Sequence, residues 1–117
     1  MINQGNGKFE TVSLPDLAQL TPYRAAQIID VNGDKLPDVL LYGNYFGNNI
    51  QLGRYDSDYG KILINKGNCH FEVQYTEGVQ IRGEVRRMLP VTLSKKNKGK
   101  TFVLGINNEK VRIINVE

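Results

Sequence analysis

Between Asp30 and Asp38 the chain sets oxygen-bearing side chains at the first, third, fifth and ninth places of a nine-residue stretch, Asp30-Val31-Asn32-Gly33-Asp34-Lys35-Leu36-Pro37-Asp38. Alternate residues of a tightly coiled loop can turn their oxygens toward one ion. A hard cation such as Ca²⁺ takes about six to eight oxygens at roughly 2.3–2.6 Å. Asp30, Asn32, Asp34 and Asp38 would supply side-chain oxygens, the Leu36 carbonyl another, and water the rest. Gly33 permits the tight turn. Three carboxylates so close together repel one another unless something neutralises them. The competing reading is a metal-free turn, because Asp, Asn and Gly are ordinary turn residues. The loop is not an EF-hand: it has no Glu at the twelfth position, and Ile28-Ile29 before it and Val39-Leu40-Leu41 after it are strand-like rather than helical. Lys35 lowers the loop's net negative charge, which sets the expected affinity in the weak extracellular range of roughly 10⁻⁴–10⁻³ M.

The other reactive residues fit bland readings better. Asp56 and Asp58, flanked by Arg54, Tyr55 and Tyr59, are the one pair that could do acid–base or metal chemistry. They carry the alternative reading, an enzyme-associated domain; a polar loop or strand entry is the better account of them. Cys69 and His70 are sequence neighbours, but adjacent strand residues point to opposite faces, which argues against a dyad. No catalytic residue and no organic cofactor is expected. Lys95, Lys96, Lys98 and Lys100 have turn composition, and the aromatics that nucleic-acid binding would interleave with them are absent. Tyr42, Tyr45 and Phe46 with their Asn neighbours suit carbohydrate or protein contacts, or core packing.

The elements that would position the loop are strands. The 117 residues suffice for one compact domain, and 40% hydrophobic with 23% charged residues is a globular composition. Twelve glycines favour short strands and tight turns. A net charge of +3 does not argue for nucleic acid, and a single cysteine excludes an internal disulfide. No apolar run approaches the ~20 residues of a membrane span, and the first residues do not read as a secretion signal. Period-two patterns predict strands near Lys8–Val12, Ala25–Asp30, Asp38–Gly43, Lys61–Asn65, His70–Gln74, Val85–Leu93, Thr101–Ile106 and Lys110–Val116, with a short strand ending at Asn3. Pro15 and Pro22 confine the helix-like stretch Leu14–Leu20 to about a turn.

One segment repeats. Ile2, Asn3, Gly5, Asn6, Phe9 and Glu10 recur as Ile64, Asn65, Gly67, Asn68, Phe71 and Glu72, an offset of 64 − 2 = 62 residues. Units of this length stack, because one alone cannot bury its apolar face. The chain reads as the tail of one unit, a complete unit from about residue 23 to 75, and part of another. The expected source is a longer parent chain, or copies that associate to cover sheet edges.

The run from Asp30 to Gly43, Asp-Val-Asn-Gly-Asp-Lys-Leu-Pro-Asp-Val-Leu-Leu-Tyr-Gly, resembles the FG-GAP or VCBS repeat of integrin-α-like β-propellers. The stretch from Leu52 to Gly67 and the tail from Gly83 are similar to the closing repeats of large bacterial FG-GAP proteins, some with an ASPIC/UnbV-type domain. The resemblance implies an all-β fold of antiparallel propeller-like blades, about two and an incomplete propeller. It implies Ca²⁺ between the first two strands of a blade, held by Asp30, Asn32, Asp34, the Leu36 carbonyl and Asp38. It also implies a non-enzymatic binding or adhesion role at a cell surface or outside the cell. Lys35 departs from the Gly usual there.

Overall fold

The structure is a computed structural model that describes residues 1–19, 22–43, 60–76, 80–93 and 100–116. Among these the chain is all-β, with nine strands in three antiparallel sheets and one 3-10 turn at Asp16–Gln19. The strands are β1 Ile2–Gly5, β2 Lys8–Glu10, β3 Tyr23–Ile29, β4 Asp38–Gly43, β5 Lys61–Asn65, β6 Phe71–Tyr75, β7 Val85–Val91, β8 Thr101–Ile106 and β9 Arg112–Asn115. They form a β1-β2 hairpin, a four-stranded meander β3-β4-β5-β6 and a three-stranded meander β7-β8-β9. No described helix is long and apolar enough to cross a membrane.

The predicted strands shift by a residue or two at their ends. Ladder hydrogen bonds extend β3 back to Tyr23, and β7 stops at Val91, two residues before the predicted Leu93. The helix-like stretch closes as a single 3-10 turn in which the Ala18 N–H donates to the Pro15 carbonyl at 2.8 Å.

Period-two alternation assigns each residue of the meander to a face. One face of the four-stranded sheet carries Ala25, Leu40, Tyr42, Ile62 and Ile64, and these merge with Met88, Phe102, Leu104 and Ile114 of the three-stranded sheet into one buried core. The Gln27 amide crosses between the sheets to donate to the Met88 carbonyl at 2.9 Å. The opposite face carries Leu41 and Leu63 with the half-buried Val39, Phe71 and Val73, covered in part by Ala18 and Tyr23. Lys61 lies on that face too, 1% exposed, and its ammonium donates to the Tyr23 hydroxyl at 3.1 Å.

The sequence repeat is a structural repeat of one hairpin. Ile2 pairs with Glu10 and Asn3 with Phe9; Ile64 pairs with Glu72 and Asn65 with Phe71. Both turns use three successive residues of positive φ: Gly5, Asn6 and Gly7 at 84°, 53° and 72°, and Gly67, Asn68 and Cys69 at 84°, 52° and 61°. In each, the hairpin's Asn side chain accepts from the Gly N–H two residues on, at 2.8 Å for Asn3 and 2.9 Å for Asn65.

A second correspondence follows from register. Strand β3 opens with an irregularity between Tyr23 and Ala25, and β7 with the same irregularity between Val85 and Arg87, again 62 residues on (85 − 23). Beyond it Ala25 faces Tyr42 and Ile29 faces Asp38, while Arg87 faces Gly105 and Val91 faces Thr101. The β7-β8 pair therefore repeats the β3-β4 pair, with one more residue in its loop. The third strands correspond likewise: Leu40 pairs with Ile62, and Val103 with Ile113.

Leu40 is fully buried in the core the two sheets share. Truncating it to Ala removes apolar area and leaves a cavity, so Leu40→Ala is expected to cost about 2–5 kcal/mol. Urea unfolding of both proteins measures the loss; a difference below about 1 kcal/mol contradicts this packing.

Candidate metal centre

The loop that joins β3 to β4 carries every predicted ligand: Asp30, Asn32, Asp34, Leu36 and Asp38. Its shape comes from its own side chains. Asp30 accepts from the Gly33 N–H at 2.7 Å through Oδ1 and from the Lys35 N–H at 2.9 Å through Oδ2. Asn32 Oδ1 accepts from the Asp34 N–H at 3.2 Å, and Asp34 Oδ1 from the Leu36 N–H at 2.8 Å. The Asn32 and Asp34 bonds are successive Asx turns, side chains standing in for the carbonyls of a backbone turn, and the Asp30 carboxylate spans them from the loop's start. The Asn32 amide also donates to Asp34 Oδ2 at 3.0 Å. Gly33 and Lys35 both have positive φ, 79° and 68°. The left-handed region disfavours a lysine, so a glycine would sit there with less strain.

Asp38 differs from the other three. It is the first residue of β4 and is 0% exposed. Its Oδ2 accepts from the Val31 N–H at 2.9 Å and its Oδ1 from the Asn65 N–H at 2.8 Å. One carboxylate thus ties the start of the loop to the end of β5. Asn65 completes the tie by donating from Nδ2 to the Pro37 carbonyl at 3.1 Å. Each carboxylate oxygen has two lone-pair directions, so among the described residues these bonds take one on each Asp38 oxygen. Among the described residues no basic side chain forms an ion pair with Asp38.

The donors are all oxygens, a set that suits a hard cation. The expected convergence of carboxylates is not what the structure has. Among the described residues no three acidic, histidine or cysteine side chains stand close enough together to share an ion. Asp30, Asp34 and Asp38 each turn oxygens to backbone N–H groups of the loop and of β5, because a turn leaves such donors needing partners. The donor types fit Ca²⁺; bringing them onto one ion requires the loop to tighten.

Asp56 and Asp58, with Tyr45 and Phe46, lie outside the described residues. Tyr42 belongs to the core and is 1% exposed. Cys69 and His70 are exposed at the β5-β6 turn. Sequence reasoning did not single out Asn65, the residue that links Asp38 to β5; its recurrence as Asn3 in the repeat was the available signal. No protein-family model matches the chain, and neither does any curated protein or solved structure.

If Asp38 ties the loop to β5, its removal costs stability even with every metal chelated. Asp38→Ala strands two N–H groups at about 1–3 kcal/mol each, a loss of about 2–6 kcal/mol in urea unfolding with EDTA. Asp34→Ala, at an exposed site, is expected to cost less than about 1 kcal/mol under the same conditions. Equal losses for the two variants contradict this role for Asp38.

Proposed function

We propose that this chain is a non-enzymatic, repeat-built β module whose Asp30–Asp38 loop takes up Ca²⁺ and thereby stiffens one propeller-type blade. On this reading β3-β4-β5-β6 is a complete blade, β7-β8-β9 is three strands of a second, and β1-β2 is the outer hairpin of another. Asp30, Asn32, Asp34, the Leu36 carbonyl and Asp38 would hold the ion. The role is binding or adhesion at a cell surface, in the periplasm or outside the cell, with a protein or carbohydrate ligand, and with further blades or further copies as neighbours.

The observation that carries the calcium reading is Asp38. It is a fully buried carboxylate at the base of an all-oxygen loop, with no described basic partner, and its described bonds take one lone pair on each oxygen. A buried anion is stabilised by a counter-ion. The second unit supports the same reading by contrast. Thr101 takes the place of Asp38, and the loop before it contains Lys95, Lys96, Lys98 and Lys100 and no carboxylate. A loop of that composition neither needs nor attracts a cation, so one ion per chain is the expectation.

A metal-free reading has one observation in its favour: the three carboxylates do not converge, and each already accepts backbone N–H groups. The loop would then be a self-supporting clasp between β3, β4 and β5.

Thermal unfolding separates the two. Binding to the folded state alone stabilises by RT ln(1 + [L]/Kd), about 1.4 kcal/mol at ten times Kd. Adding 10 mM Ca²⁺ at an affinity of about 10⁻³ M should raise the melting temperature by several degrees over EDTA. Asp34→Ala should abolish the rise, and Lys35→Gly, which removes a repelling charge, should enlarge it. No rise in the wild type, at concentrations to ten times that Kd, favours the metal-free clasp.

A further inference from the structure

The one residue type that β3 and β7 share at equivalent places is arginine, and in both strands it occupies the same backbone irregularity. In β3, Tyr23 faces Gly43 and Ala25 faces Tyr42, so Arg24 is the extra residue of a bulge. In β7, Val85 faces Ile106 and Arg87 faces Gly105, so Arg86 is the extra residue. A bulge bends its strand and re-aims the side chain it carries, and bulges are over-represented beside functional sites. Strand pairing does not require an arginine at either bulge.

Both bulges open on one groove. The first strands of the two sheets lie beside each other, tied by the bond from the Gln27 amide to the Met88 carbonyl. The groove between them is open to solvent and has a volume of about 370 Å³. Arg24 lines it from β3, Arg86 and Arg87 line it from β7, and the buried Ala25 and Met88 give it an apolar part. Among the described residues that line it none is acidic. Arg86 is set in position from behind. Its guanidinium pairs with Glu84 Oε1 at 2.6 Å, and Glu84 is only 3% exposed. Asn107 Nδ2 donates to the other oxygen of Glu84 at 3.1 Å. A buried carboxylate held on both oxygens fixes the orientation of a planar fork that suits oxyanions. Glu84 also offsets one of the three positive charges, which leaves two. Among the described residues Arg87 forms no ion pair.

We propose that the groove between β3 and β7 binds a phosphate monoester, with Arg24 and Arg87 as direct ligands from its two sides and Arg86 as a third, pre-oriented donor. Like charges gathered in one groove repel one another, and an anion placed among them reverses the sign of that interaction. A phosphate monoester carries about −1.5 to −2 charges at pH 7, which matches the two that Glu84 leaves; a carboxylate or a sulfate ester carries one. Guanidinium forks bond phosphate oxygens bidentately. The groove's volume falls in the range of small-molecule sites, so a sugar-sized group fits beside the phosphate against Ala25 and Met88. The ester can come from a soluble phosphorylated sugar or from a lipid headgroup, and the same three arginines would hold either. This inference goes beyond the calcium reading and does not rest on it: no residue of the Asp30–Asp38 loop lines the groove.

Amide NMR titration at low salt tests it, with glucose 6-phosphate, glucose 6-sulfate and glucose as probes. The buffer is stripped of metal on a chelating resin, so that no Ca²⁺ at the Asp30–Asp38 loop captures phosphate. Glucose 6-phosphate should give saturable shifts centred on residues 24–26 and 86–89. Glucose 6-sulfate, with less charge, should bind several-fold more weakly, and glucose should not bind. Arg24→Gln and Arg87→Gln, both at exposed positions, should keep the circular dichroism of the wild type and each weaken binding by about tenfold or more. Lys8→Gln removes the same charge outside the groove and should leave binding unchanged. Flotation with vesicles of phosphatidylcholine and phosphatidic acid tells the sources apart. Flotation that Arg87→Gln abolishes supports the site with a lipid as its source; protein that binds glucose 6-phosphate and does not float supports a soluble ester. No saturable shift with glucose 6-phosphate, shifts centred elsewhere, sulfate binding as tight as phosphate, or an equal loss in Lys8→Gln overturns the proposal. Each of those results leaves the calcium reading standing, and a chain that fails to bind Ca²⁺ leaves this one standing.

Discussion

A carboxylate with no exposed surface holds the first unit together. Asp38 begins β4, and its two oxygens reach the N–H groups of Val31, at the start of the loop, and Asn65, at the end of β5. Two strands, β4 and β5, and the connection that leads into β4 thereby share one anionic group. Desolvating a carboxylate is costly unless hydrogen bonds or an opposite charge replace the lost water. The surroundings can be read from that constraint. The Asx turns of Asn32 and Asp34, with the Asp30 carboxylate bonded to the Gly33 and Lys35 N–H groups, fold the loop between Val31 and Asp38. Asn65 is held in place by its own turn with Gly67 and by the Pro37 carbonyl. What the backbone does not supply to Asp38 is positive charge, and that is the physical ground for a cation.

The second unit shows the same strand frame under a different local constraint. Thr101 stands where Asp38 stands, and its hydroxyl hydrogen-bonds to Asn115 on the neighbouring strand at 3.2 Å. A neutral hydroxyl linking two strands buries no net charge. The connection before it is correspondingly free to be lysine-rich. The pairing of the first three strands and the irregular opening of the first strand are the same in both. Loop chemistry is what changed. This division, a rigid sheet with variable connections, is the usual way binding surfaces diversify on one scaffold.

Much of this was legible in the sequence for physical reasons. The oxygens at Asp30, Asn32, Asp34 and Asp38 lie between two apolar runs, so the loop had to join strands. The Asn-Gly turns needed positive φ, and the shared Ile, Asn, Phe and Glu of residues 2–10 and 64–72 implied one hairpin used twice. The correspondence of β3 with β7 was not legible. Tyr23–Ile29 and Val85–Val91 share only an arginine, Arg24 with Arg86, and their equivalence rests on backbone register rather than side chains. Nor could spacing reveal where the loop's oxygens point. Alternate placement allows them to turn toward an ion or toward the loop's own N–H groups, and in this structure the N–H groups have them. Asp38's burial was equally hidden, because a strand's first residue can face solvent or core with the same sequence pattern.

The account turns on the contrast between one acidic loop and one basic loop on equivalent strands. Isothermal titration of the metal-free chain with Ca²⁺ addresses it most directly, since it counts ions as well as detecting them. The account predicts about one ion per chain, with a dissociation constant near the weak range of roughly 10⁻⁴–10⁻³ M, and no binding once Asp38 is replaced by Asn. No saturable binding in the wild type, or two ions per chain, would contradict it.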